Sequence, residues 1–157
     1  MPVPEHKPVY QTADADEFLV NHIGADLWRT FRTYERAMFV RVAKLGFEDI
    51  AVADSDVLVH ISTQGTRLST IAKARGLTKQ SVHERVHSLV ERGYLEMFDD
   101  LDDKRAKVVC YTKKGLKFVR ALKSVKQQMQ NEIQLLLGPN QLHSLHRMLA
   151  KLGDLLI

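Results

Sequence analysis

The sequence predicts a mainly α-helical chain with a small β-wing: a winged helix-turn-helix between N- and C-terminal dimerisation helices. Three observations predict it. Residues 66–93 hold two short helical patterns separated by a glycine-containing turn. Two strand patterns follow, Tyr94 to Phe98 and Lys107 to Tyr111, joined by an Asp- and Lys-rich link. Long apolar stripes with steps of three and four lie on both sides of this block. The 157 residues are read as a single unit, 1–157, with the winged helix-turn-helix at 54–111 and dimerisation helices at 14–46 and 113–157.

Residues 1 to 13 hold three of the four prolines and no helical period, which predicts an extended or mobile arm. Asp14 and Asp16 are capping-type residues at a helix start. Ile23, Leu27, Phe31, Tyr34, Met38, Val42 and Leu45 then keep a helical period. The expected helix has roughly 30 residues, or about 45 Å, a length that suggests packing along a partner. Trp28, Arg29 and Arg32 lie on it, and together with His60 they are the candidate lining for a small anionic ligand. A solvated arginine face and a packed histidine are the competing readings. Gly46 ends this helix, and Asp54 or Ser55 is expected to cap a short one containing Val57, Leu58 and Ile61.

In the central pair, Leu68, Ile71, Ala72 and Leu77 supply the apolar side of the first helix, and Gly76 closes it. Thr78 is the N-cap of the second, and Val82, Val86 and Leu89 make its buried stripe. At 100° per residue, Gln80, Glu84, His87 and Glu91 then point away from the core, with His83 on one flank and Arg85 on the other. Helix, tight turn and helix is the helix-turn-helix layout, and a hairpin with a charged tip beside it is a wing.

These residues resemble the MarR family (multiple antibiotic resistance regulators), dimeric winged-helix transcription factors. The likeness is carried by Leu77 to Val82, Leu89, Gly93, Asp103-Lys104-Arg105 and Thr112-Lys113-Lys114-Gly115. Two positions depart from the family pattern. Met97 and Phe98 stand where members usually carry arginine, and Glu84 replaces a common recognition-helix arginine, with Arg85 beside it. The resemblance implies a repressor released by a small, often aromatic or anionic, effector bound between dimer helices and winged domain. It also implies a homodimer on a pseudo-palindromic operator in double-stranded DNA.

The residues then expected at DNA are Thr78, Lys79, Gln80, Ser81, His83, Glu84, Arg85 and His87 on the second helix, and Asp103, Lys104, Arg105 and Lys107 on the wing. Gln matches adenine N6 and N7, and a carboxylate such as Glu84 accepts from cytosine N4. Lys104 and Arg105 sit near the wing tip, with Asp103 placed to orient Arg105. A net charge of +4 suits a polyanionic partner. Cys110 is the only cysteine, so an internal disulfide is excluded, and it reads as a small buried apolar residue. No segment approaches the ~20 apolar residues of a membrane span, and the first residues lack the order of a secretory signal, so a cytoplasmic location is expected.

One motif competes. His83-Glu84-Arg85-Val86-His87 matches the zinc-protease pattern H-E-x-x-H, with both imidazoles on one helical face. A third protein ligand is missing; His143 and His146 qualify only by residue type. The expectation is no enzyme, no metal and no cofactor, with a zinc-dependent hydrolase and a ligand-independent architectural DNA binder as the alternatives.

After Thr112 a helix is expected with the stripe Leu116, Val119, Leu122, Val125, Met129, Ile133 and Leu136. Gly138-Pro139-Asn140 breaks it. Leu142, Leu145, Leu149, Leu152 and Leu156 then follow a heptad spacing, as a subunit seam would.

Overall fold

A computed structural model describes residues 21–156, apart from 101 and 104 and the side chains of Asp56 and Arg75. The expected N-terminal arm and the Asp14 and Asp16 caps lie outside the described residues. The chain divides into two compact units, Met1–Ala37 and Met38–Ile157.

The elements are α1 (Ile23–Ala43), a 3-10 turn (Val52–Asp54), α2 (Ser55–Leu58), β1 (Thr66–Arg67), α3 (Leu68–Arg75), α4 (Lys79–Glu91), β2 (Leu95–Asp99), β3 (Lys107–Tyr111), α5 (Lys113–Leu137) and α6 (Pro139–Leu156). The sheet is antiparallel in the order β1-β3-β2. Within the first unit, α1 leaves Ile23, Trp28 and Phe31 exposed. In the second, its continuation buries Met38 and Val42.

Val82, Val86 and Leu89 are completely buried, as their spacing requires. Thr78 caps α4 by accepting from the Ser81 amide at 3.1 Å. The far end of α4 closes at Gly93, whose φ of 76° is the left-handed conformation that glycine adopts without a Cβ penalty. Gly93 N donates to Val90 O, and Tyr94 N reaches back to Leu89 O at 2.9 Å, which makes a Schellman ending. The same bond corrects the strand boundary. The Tyr94 amide belongs to the helix end, so the ladder begins one residue later, with Leu95 opposite Tyr111.

Four further expectations change. The described first helix has 21 residues rather than roughly 30, because Asn21 and His22 form a bend before it. Neither Asp54 nor Ser55 caps α2 with its side chain. The Asp54 carboxylate instead accepts from Ala51 N at 2.8 Å, inside the preceding 3-10 turn. On α5 the buried residues are Gly115, Phe118, Val125 and Met129; Leu136 is exposed. Phe118 was outside the expected stripe. It stands edge-on to Phe47 and Tyr94, with centroids 5.6 and 5.9 Å away. Cys110 is half-buried rather than buried.

Among the described residues, no helix is long and apolar enough to cross a membrane. On α6 the leucine spacing is helical as expected, but only Leu142 is buried, and Leu145, Leu149 and Leu156 are exposed.

Candidate nucleic-acid interface

The second unit presents α4 with its apolar stripe inward and its polar residues outward. Thr78, Lys79, Gln80, His83, Glu84 and His87 are exposed, while Ser81 and Arg85 are half-buried. The outward side chains are organised among themselves. Gln80 Nε2 donates to Glu84 Oε1 at 3.0 Å. The His83 and His87 rings stack with centroids 6.3 Å apart, and His87 Nδ1 lies 3.4 Å from Glu91. Both partners of the H-E-x-x-H glutamate and second histidine are thus on the same helix. Among the described residues, no group of three His, Cys, Asp or Glu side chains is placed to hold a metal.

Two arginines, one in the middle of α4 and one just past it, tie it to residues 49–54. Arg85 donates to Ala53 O at 2.5 Å. Arg92, just past the helix, makes two 3.0 Å bonds to the Asp54 carboxylate and also donates to Asp49 O. Asp54 is buried, and Arg92 is partly covered. Asp49 accepts from Tyr94 OH at 2.5 Å and from Lys114 Nζ at 3.3 Å. Burial pushes the Asp49 carboxyl up, but these two hydrogen bonds outweigh it and hold the group below its ordinary value. Burial, reinforced by the bond to Asp49, raises the Tyr94 phenol. Lys114 also sits 4.0 Å above the Tyr94 ring. None of these partners was legible beforehand. Asp54 and Arg92 are 38 positions apart, with no local pattern linking them.

In the wing, Asp103 was expected to orient the Arg105 side chain, and the side-chain ion pair found there is a different one, between Asp100 and Arg67. The buried Asp100 carboxylate takes two bonds from Arg67, at 2.7 and 2.8 Å, and the backbone amides of Asp102 and Asp103. The Arg67 guanidinium beside it holds the Asp100 carboxyl below its ordinary value, against the cost of burial. Asp103 accepts from the backbone amide of Arg105 at 3.0 Å, so it shapes the turn instead of gripping the guanidinium. Arg105 is exposed, and Lys107 pairs with Asp99 across β2 and β3. Lys104 lies outside the described residues. Arg67 stands on β1, a two-residue strand too short for alternation to reveal.

Between α1, α2, β3 and α5 the same unit holds a cavity of about 290 Å³. Its walls include Met38, Leu58, Tyr111, Phe118 and Leu122, with Lys126 as the cation on its lining. Tyr111 OH donates to Leu58 O at 2.7 Å, and burial pushes that phenol up to about 12. Val59 and Ile61 line the cavity, and the half-buried His60 between them does not. Trp28, Arg29 and Arg32 belong to the other unit, where Arg29 pairs with Asp26 and Arg32 with Glu35.

Residues 48–106, from the segment before α2 through the wing, match the family model described as MarR family. The segment is thus similar to the MarR family over 59 of the 157 residues. No curated protein sequence matches the chain. Solved structures share the MarR fold over most of its length. A cysteine-to-serine mutant of MarR from E. coli complexed with operator DNA is 19% identical, covers 90% of this chain and 99% of its own, and has a TM-score of 0.69. PcaV from Streptomyces coelicolor, in complex with its natural ligand, is 21% identical over 87% of this chain and 94% of its own, with a TM-score of 0.65. S. aureus MepR bound to ethidium bromide is 22% identical over 82% and 95%, with a TM-score of 0.56.

Proposed function

We propose that this chain is a homodimeric, sequence-specific DNA-binding transcriptional regulator, acting in the cytoplasm as a repressor released by a small molecule. The observation that carries the reading is α4 within residues 48–106: an apolar stripe completely buried, a polar N-terminal half outward, and a wing beside it. Recognition helices enter the major groove by their N-terminal part, and wings reach phosphates or the minor groove. Lys79, Gln80, His83 and His87 are then the readers, with Glu84 on the same outward face, and Arg105 with Lys104 are the wing contacts.

The related MarR structure holds operator DNA, and the PcaV and MepR structures hold small molecules. By analogy the effector of this chain occupies the cavity between α1, α2, β3 and α5, an apolar pocket with Lys126 to meet an anionic group. Residues 14–46 and 113–157 supply the dimer contact, and 54–111 the DNA-binding region. The exposed leucines of α6 favour this, since such a face is covered in a stable soluble assembly. Two-fold symmetry then presents two copies of α4 to two half-sites.

Selection of bound sites from random duplex DNA tests the reading. An enriched motif with inverted half-sites about one helical turn apart is the expected result. Binding with no enriched motif would identify a nonspecific architectural binder instead. Elemental analysis of protein purified without chelator addresses the hydrolase alternative, which requires one tightly held zinc per chain, lost in His87→Ala.

A further inference from the structure

We infer that Gln80 reads an adenine in each half-site and that Glu84 is its positioning residue, fixing the Gln80 amide without itself meeting a base. The inference rests on the DNA-binding reading above and specifies what α4 recognises. The observation is the 3.0 Å bond from Gln80 Nε2 to Glu84 Oε1 on the exposed face of α4.

A glutamine amide carries two hydrogens on Nε2 and an acceptor oxygen, and on a free surface it can take either orientation. A carboxylate only accepts. With Glu84 one turn along the helix, the flipped amide would set its oxygen against the carboxylate. The observed orientation is therefore the favoured one. One amide hydrogen points at Glu84. In the proposed contact the second hydrogen, the one beside Oε1, is given to the base. A donor next to an acceptor in one plane matches the N7 and N6 edge of adenine, and a bidentate contact uses both.

This also accounts for an acidic residue on the DNA-facing side of α4, where phosphates repel it. Glutamine loses much rotamer freedom when it is ordered. A partner on the same helix holds it before DNA arrives, so less freedom is lost on binding. A glutamine at position 84 can do the same work, because its amide oxygen also accepts from Gln80. An alanine cannot. Direct cytosine readout by Glu84 makes a different demand: it needs the carboxylate at its own base pair, and it leaves the Gln80 position unaffected.

Site selection with the full-length dimeric protein separates the two, using wild type, Gln80→Ala, Glu84→Ala and Glu84→Gln. Both side chains are exposed, and unchanged thermal melts check that the variants fold. The wild type should show an adenine column in each half-site, preferred over other bases by about 5- to 150-fold. Gln80→Ala should flatten that column. Glu84→Ala should flatten the same column, and Glu84→Gln should keep it. The inference is overturned if Glu84→Ala leaves that column intact, or if both position-84 variants flatten a separate cytosine column. A wild type that selects no motif would overturn it together with the DNA-binding reading, whereas a clear motif with the wrong response to Glu84→Ala overturns this inference alone.

Discussion

Helices α4 and α6 are both amphipathic, and they leave opposite kinds of surface uncovered. On α4 the apolar stripe is completely buried and the polar side chains pair with each other in solvent. On α6 only Leu142 is buried, while Leu145, Met148, Leu149, Leu155 and Leu156 face outward. An exposed polar face needs a polar partner or only water. An exposed apolar face of this extent needs an apolar one. Under the proposed function the two helices take different complements, DNA for α4 and a second copy for α6, and each can be disturbed without touching the other.

The largest effect is expected on the apolar side. Replacing Leu149 and Leu156 together by glutamate should convert a dimer into monomers in sedimentation at micromolar concentration. Neither leucine is needed by the chain's own core, so helicity should persist. DNA affinity should fall by about 10²–10⁴-fold as bivalency is lost. A glutamate variant that stays dimeric would remove α6 from the interface.

The anchoring of α4 comes next. Asp54→Ala leaves the partly covered Arg92 without its carboxylate, and should cost about 3 kcal/mol in urea unfolding at fixed protein concentration. An unchanged midpoint would mean that the apolar stripe alone holds α4.

On the polar side, Arg105→Ala should weaken binding to different DNA sequences about equally and lower the salt slope by about one unit. Loss confined to A·T-rich flanks would place Arg105 in the minor groove instead. An unchanged slope would dismiss the wing contact.

The smallest effect is with pH. Asp49 and Asp100 both titrate below the ordinary aspartate value in the folded chain. The unfolded chain therefore takes up these protons first as acid is added. Their contribution is present above about pH 4 and is lost as the pH falls through the folded values. Urea midpoints between pH 6 and 3 should drop on this acid limb, and Asp49→Asn should make the drop shallower.

What could be read from the sequence was what is local. Val82, Val86 and Leu89, the Thr78 cap and the Gly76 and Gly93 endings follow from spacing and from single-residue chemistry, and all are found. The residues that fix the site in space are not local. Arg67 meets Asp100 across 33 positions, and Arg92 meets Asp54 across 38. Charged residues are common enough that no spacing singles out such pairs. The cavity was equally hidden, because its walls come from α1, α2, β3 and α5 together. The wing showed the opposite failing. Asp103 was legible as a motif, but its carboxylate serves the Arg105 backbone amide, and the carboxylate that holds a guanidinium is that of Asp100, on Arg67.

The joint between α4 and α5 has no room in it. A Cβ on Gly115 would come within 2.1 Å of the Tyr94 carbonyl oxygen, so the first turn of α5 lies directly on the chain leaving α4. Thr112 locks the same corner, donating to Gly93 O at 2.6 Å while accepting from Gly115 N. Helix α5 has 25 residues and reaches about 37 Å from that corner. Mechanically it is a lever welded to its load. A tilt of α5 about that corner would drive its first turn against the Tyr94 carbonyl, at the exit of α4.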